Sequence, residues 1–126
     1  MKRVIIVLTI LLTPLTLFSC SKNKYTSISV QEAKKIMDTE DNYIILDVRT
    51  VEEYNSGHIP NAILIPNEEI KQKAESILID KNQLILVYCR SGRRSKQAAS
   101  ALTSLGYTNI KEFGGIIDWP YEISYQ

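Results

Sequence analysis

Cysteine, histidine and tryptophan are scarce in this chain. Its 126 residues include two cysteines, one histidine and one tryptophan. No Cys-x-x-Cys pair and no resolving cysteine is present, which argues against a thiol–disulfide oxidoreductase. The single histidine, His58, and the lack of any His/Cys/Asp cluster at ligand spacing leave no basis for a metal centre. Neither sign of charge is in excess: 15 basic and 14 acidic side chains give a formal +1, no electrostatic footprint for nucleic acid. There is no internal repeat, low-complexity tract or long charge run. The one long apolar run, Val4 to Phe18, is interrupted by Pro14. Fifteen residues at about 1.5 Å each fall short of the roughly 30 Å hydrocarbon core, so a spanning helix is disfavoured.

What is present at the start fits a secretory signal: Lys2 and Arg3, the apolar run, then Ser19 and Cys20. Leu17-Phe18-Ser19-Cys20 resembles the lipobox of bacterial lipoproteins, which implies cleavage before Cys20 and a diacylglyceryl group on its sulfur. The alternative is a plain secretory signal with a free Cys20. The expected organisation is a signal at 1–19, a polar, lipidated tether at 20–26 and one domain at 27–126. The protein would then be anchored outside the cytoplasm, periplasmic or on the outer face of a bacterial membrane. Without residues 1–19 the chain has 13 basic against 14 acidic side chains, formally −1. Its 107 residues suit a single core. The two cysteines have separate readings, so no structural disulfide is expected even in an oxidising compartment.

Within the domain, helical and strand patterns alternate. Ser29-Val30-Gln31-Glu32 has the spacing of a capping box, and Val30, Ala33, Ile36 and Met37 share a face of the helix it opens. Tyr43–Val48 and Leu84–Tyr88 are continuous apolar strands, Ala62–Ile65 a short one and Asn109–Phe113 the last. Val51–Asn55 is a short helical turn, Pro66–Ile77 a weakly patterned helix, and Ser95–Leu105 a helix stopped at Gly106. Gly114-Gly115 turns the chain toward Trp119-Pro120, with Trp119, Tyr121 and Tyr125 expected to pack. Such alternation implies an α/β fold, a parallel sheet with helices on both faces. Ligands of such sheets sit at the carboxyl ends of the strands.

Cys89 lies at such an end, between Leu84–Tyr88 and the loop Arg90-Ser91-Gly92-Arg93-Arg94. A strand, a tight loop and a helix start surround the sulfur with backbone N–H groups and the positive end of a helix dipole. That setting lowers a thiol pKa and holds a small anion. A buried, inert cysteine is the plainer alternative, disfavoured by three arginines within five residues. Arg90, Arg93, Arg94 and Lys96 form either a solvated basic face or, as their place around the loop favours, an attraction for an anionic donor, to which the planar fork of arginine is suited. Ser91 and Ser95 are candidate hydroxyl donors to the sulfur, Ser95 alternatively only the N-cap of its helix. Gly92 permits a turn that a Cβ would obstruct. Asp47 and Arg49 flank a neighbouring strand end and border the site, with Asp47 expected on loop backbone and Arg49 on Glu52 or Glu53.

Several of these segments form a set. Asp47-Val48-Arg49, Glu53-Tyr54, Gly57-His58-Ile59-Pro60-Asn61-Ala62, the Cys89 loop, and Gly114-Gly115 with Trp119 together resemble the signature of rhodanese domains, over roughly residues 27–121. Asn61 stands where the family commonly has Gly, and Asn also accepts turn conformations. The resemblance implies a five-stranded, mainly parallel sheet in three layers and a sulfurtransferase that needs no metal or organic cofactor. It implies that Cys89 takes the outer sulfur of a donor such as thiosulfate as a persulfide and passes it to cyanide, a thiol or a protein acceptor. It makes His58 a turn element rather than a base. Two alternatives share the fold. A cysteine phosphatase or arsenate reductase uses Cys-x5-Arg, but five residues past Cys89 stands Ser95, Arg94 is one position early, and Tyr88 replaces the usual His. A non-enzymatic envelope module would typically lack the cysteine.

Overall fold

The computed structural model describes residues 25–126. The expected signal and Cys20 lie outside the described residues. Five strands, β1 (Tyr25–Ser27), β2 (Tyr43–Asp47), β3 (Ile63–Leu64), β4 (Leu84–Cys89) and β5 (Ile110–Gly115), form one parallel sheet in the order β1-β5-β4-β2-β3. Four α-helices join them: α1 (Val30–Thr39), α2 (Val51–Asn55), α3 (Ile70–Ile77) and α4 (Arg93–Ser104). Short 3₁₀ turns precede α3 at Asn67–Glu69 and follow β5 at Ile116–Asp118.

The central strand explains the layering. Every residue of β4 is buried, and the period of two sends alternate side chains to opposite faces. Ile85, Val87 and Cys89 pack with Ala98, Ala99 and Leu102 of α4 and with Ile70 and Ala74 of α3. Leu84, Leu86 and Tyr88 pack with Val30 and Ala33 of α1 and with Phe113 and Trp119. Helices therefore cover both faces of a sheet whose core strand has no polar side, the three-layer arrangement the alternation implied.

Local chemistry sets the helix ends. Only half of the expected capping box forms at α1, where Ser29 Oγ accepts the Glu32 N–H at 3.0 Å. A complete box stands at α2 instead: Thr50 Oγ1 accepts the Glu53 N–H at 3.2 Å, and Glu53 accepts the Thr50 N–H at 3.3 Å. At five residues and with no buried side chain, α2 is too short to persist on propensity, so the box and its tertiary ties hold it. Asn61 takes the left-handed conformation, φ 67°, which asparagine adopts more readily than most residues.

Three expectations need correction. The tether was expected to reach Thr26, but Tyr25 and Thr26 pair with Ile110 and Lys111 as β1, because β5 offers a free edge beside them. Helix α4 begins at Arg93, two residues before Ser95, with Gly92 as its N-cap. Gly114 and Gly115 are not a turn after the last strand but its final two residues. The aromatic tail divides: Trp119 is buried and Tyr121 meets its ring edge-on at 4.9 Å, whereas Tyr125 is 73% exposed.

Candidate active site

Between β4 and β5 the register shifts. Val87 pairs with Glu112 and Cys89 with Gly115, so β5 carries one extra residue in the interval and bulges at Phe113–Gly114. The bulge brings the glycine pair beneath the cysteine loop. A Cβ on Gly115 would stand 1.8 Å from the Arg90 carbonyl oxygen and 2.5 Å from the Ser91 nitrogen. No residue larger than glycine fits there without moving the loop. The following turn fastens it, with the Ile117 N–H donating to the Arg90 carbonyl at 3.2 Å.

Cys89 is 1% exposed, on the α4 face of the sheet. Its Sγ accepts the Gly92 N–H at 3.0 Å and lies 3.5 Å from Ser95 Oγ and 3.8 Å from the Gly114 carbonyl oxygen. Gly92 reaches this position at φ 114°, a conformation open to glycine and strained for any side chain. Burial alone pushes the Cys89 thiol up. The Ser95 hydroxyl and the backbone N–H groups of Ser95, Gly92 and Ser91 outweigh it, and the thiol pKa lies below its ordinary value. The N-terminus of the 12-residue α4 adds its dipole from the same side.

The three loop arginines have different surroundings. Arg90 and Arg93 are exposed. Arg94 makes a two-pronged ion pair with Glu53 of α2, at 2.6 and 3.0 Å. That hydrogen bond holds the Glu53 carboxyl down at about 2 and raises Arg94, whose charge also couples to Cys89. Ser95 is buried in the first turn of α4, not at its cap, and its Oγ lies 2.7 Å from Glu112 Oε1 and 2.9 Å from the Gly92 carbonyl oxygen. Ser91 is exposed. Depressions of about 360 Å³ and about 540 Å³ flank the loop, the first lined by Arg49, Glu53, Arg90 and Ile117, the second by Ser91, Gly92, Lys96 and Glu112.

Asp47 and Arg49 were expected to reach the loop backbone and Glu52 or Glu53. The first holds: Asp47 Oδ1 accepts the Arg49 N–H at 2.9 Å. The second does not. The Arg49 guanidinium folds back onto Asp47, Nη2 to Oδ2 at 2.7 Å, and donates to the Gly57 carbonyl at 2.8 Å. Glu53 is taken by Arg94. Asp47 Oδ2 also accepts the Tyr88 hydroxyl at 2.6 Å, and the Tyr88 hydroxyl oxygen accepts the Ile59 N–H at 3.0 Å. Burial, then the Asp47 charge, pushes the Tyr88 hydroxyl far above its ordinary pKa. His58 stacks on Tyr54 with ring centres 3.8 Å apart, and its Nδ1 lies 3.0 Å from the Tyr54 carbonyl. A carbonyl only accepts, so Nδ1 carries the proton and the ring serves the turn.

Two site residues escaped the sequence reading. Gly115 is the floor under the loop, and Glu112 is a buried carboxylate hydrogen-bonded to Ser95. The doubled glycine was a usable signal for the first; nothing local marks the second.

Residues 29–120 match the family described as the Rhodanese-like domain. The chain is 41% identical over 73 residues to thiosulfate sulfurtransferase PspE of Escherichia coli, covering 58% of this chain and 70% of that protein. It is 38% identical over 88 residues to a sulfurtransferase of Allochromatium vinosum, covering 69% and 79%. Among solved structures, a rhodanese with anions from E. coli superimposes with a TM-score of 0.62 at 36% identity, over 67% of this chain and 99% of that one. A rhodanese-related protein from Thermoplasma volcanium gives 0.70 at 30% identity, over 81% and 100%. The glycine-floored cysteine loop thus sits in a fold and a sequence shared with sulfurtransferases, and the chain belongs to the rhodanese-like domain family as a sulfurtransferase that moves sulfane sulfur from a donor to an acceptor.

Proposed function

We propose that Cys89 is the nucleophile of this sulfurtransferase and carries the transferred sulfur as a persulfide. The observation that carries the reading is the 3.0 Å Gly92 N–H to Sγ contact at the carboxyl end of β4, in a loop whose donors favour the thiolate. With thiosulfate, the donor named for the E. coli relative, the thiolate attacks the outer sulfur. A Cys89 S–S bond forms, the bond to the sulfonate sulfur breaks, and its electron pair leaves on sulfite. Cyanide, or a thiol of a small molecule or protein, then attacks the terminal sulfur and restores the thiolate, giving ping-pong kinetics. Thiolate and persulfide are both anions, and preset N–H donors stabilise each without reorganisation. Arg90 and Arg93, exposed on the loop, draw in the anionic donor, and no general base is required.

The basic start, apolar run and Leu17-Phe18-Ser19-Cys20 support a lipid anchor on Cys20 and an extracytoplasmic location. Cys20→Ser should release the protein from membranes, and continued pelleting would overturn the anchor. The test of the nucleophile is intact mass before and after thiosulfate. A gain of about 32 Da, mapped to Cys89 and removed by cyanide, is the expected result, and no adduct on the folded protein would overturn the reading.

A further inference from the structure

Glu112 is 1% exposed, on β5 beside the cysteine loop, and no lysine or arginine among the described residues pairs with it. Its carboxylate is served by neutral donors instead. Oε2 accepts the Ser27 hydroxyl at 2.9 Å, and Oε1 accepts the Gly114 N–H and the Ser95 hydroxyl, each at 2.7 Å. A carboxylate taken out of water without a cation is costly, so its place next to the loop needs a reason. The reason lies in Ser95. A hydroxyl has one hydrogen to give. Around Ser95 Oγ stand four acceptors: Glu112 Oε1 at 2.7 Å, the Gly92 carbonyl at 2.9 Å, the Gly114 carbonyl at 3.3 Å and Cys89 Sγ at 3.5 Å.

Of these, Glu112 Oε1 is the nearest. While the sulfur is a neutral thiol, the hydrogen rests on Glu112, and Ser95 Oγ turns a lone pair to the S–H. Once the sulfur becomes a thiolate, two anions compete for one hydrogen. We propose that Glu112 is a positioning residue which, by competing with the Cys89 sulfur for the hydrogen of Ser95, sets how much thiolate the nucleophile holds. This rests on Cys89 being the nucleophile and adds a control on it from β5. Other charged groups surround the pair. Arg94 couples to the sulfur, Arg90 and Arg93 stand on the loop, Lys96 and Asp118 line the adjoining depression, and Asp47 with Tyr88 lies on the far side. None of them is a hydrogen-bond partner of Ser95 Oγ. The control therefore runs through one hydroxyl.

The experiment is the pH dependence of alkylation by iodoacetamide, in the full chain carrying Cys20→Ser so that Cys89 is its single thiol. Glu112→Gln keeps the size and an oxygen for the Gly114 N–H but removes the competing charge. Its alkylation midpoint should move to lower pH, with the rate below the midpoint rising about threefold, the scale of one modest hydrogen bond. Ser95→Ala should move the midpoint up, because the sulfur loses its hydroxyl donor. In the Ser95→Ala background, Glu112→Gln should have no further effect. A Glu112→Gln shift that persists without Ser95 would mean direct charge repulsion and overturn the proposal, as would an unmoved Glu112→Gln midpoint. Should Glu112→Gln fail to fold, Ser95→Ala alone decides: a midpoint that stays or falls overturns the proposal. Alkylation reads the thiol whether or not it turns over, so failure of the nucleophile reading shows separately, as an unmodified Cys89 after thiosulfate.

Discussion

At the carboxyl end of β2, Asp47 leads into Val48-Arg49-Thr50 and helix α2; at the carboxyl end of β4, Cys89 leads into Arg90-Ser91-Gly92 and helix α4. The strands are neighbours, with Asp47 paired to Tyr88, one residue from the cysteine. Both ends bury an acidic group and follow it with arginine, but they satisfy it differently. The Asp47 carboxylate is closed off by the Arg49 guanidinium, the Arg49 N–H and the Tyr88 hydroxyl. The Cys89 sulfur meets N–H donors and one hydroxyl, while Arg90 and Arg93 stay exposed. An anion neutralised by a buried cation has no capacity left for a ligand. One held by loop donors keeps it, and the neighbouring cations remain available to an incoming anion. The same strand–loop–helix unit thus gives a corner closed by an ion pair at β2 and, at β4, one held by loop donors, where the proposed nucleophile stands.

The sharpest way to separate the two corners is to remove each acidic group. Cys89→Ser should abolish thiocyanate formation and leave the thermal midpoint nearly unchanged; activity within tenfold of wild type would mean the β4 corner is not the reactive one. Gly115→Ala attacks the same corner through its floor. With the loop carbonyl displaced, kcat/KM should fall on the order of 100-fold, the usual cost of misplacing a reacting group by about 1 Å. Asp47→Asn should act on stability, costing about 3 kcal/mol in urea unfolding because the Arg49 charge stays buried against a neutral partner. A variant as stable as wild type would show the β2 corner to be no more structural than the other.

The smallest effect belongs to the tie between the corners, Arg94 to Glu53. The Glu53 carboxyl is held at about 2 against an ordinary value of 4.5, so its stabilisation is complete above pH 4.5 and is lost as pH falls toward 2. The pair is partly solvated, which limits the loss to about 1 kcal/mol. Glu53→Gln should flatten that part of the acid unfolding profile, and an unchanged acid slope would remove the tie from the account.

Much of this was legible along the chain. Leu84–Tyr88 announced a buried strand because its side chains are continuously apolar. Val51–Asn55 was found with the bounds it has, since its caps are local. The errors share a cause. Arg49 was assigned to Glu52 or Glu53 by nearness ahead of it, yet it turns back to Asp47, and Glu53 is claimed by Arg94, 41 residues away. Serine favours caps, which makes Ser95 a candidate for one, but Gly92 holds that place in a conformation no pattern of types reveals.

The sequence by itself determined the periodic elements, their order and the family, because strand and helix periods, caps and motif spacing are properties of neighbours. Only the tertiary structure decided which groups serve the sulfur. The bulge in β5 brings Gly115 under Arg90 and Glu112 to Ser95, 17 residues apart, and strand register is what sets such pairs. Register follows from packing both faces of the sheet at once, so a residue such as Glu112 gains its meaning only when the chain has folded.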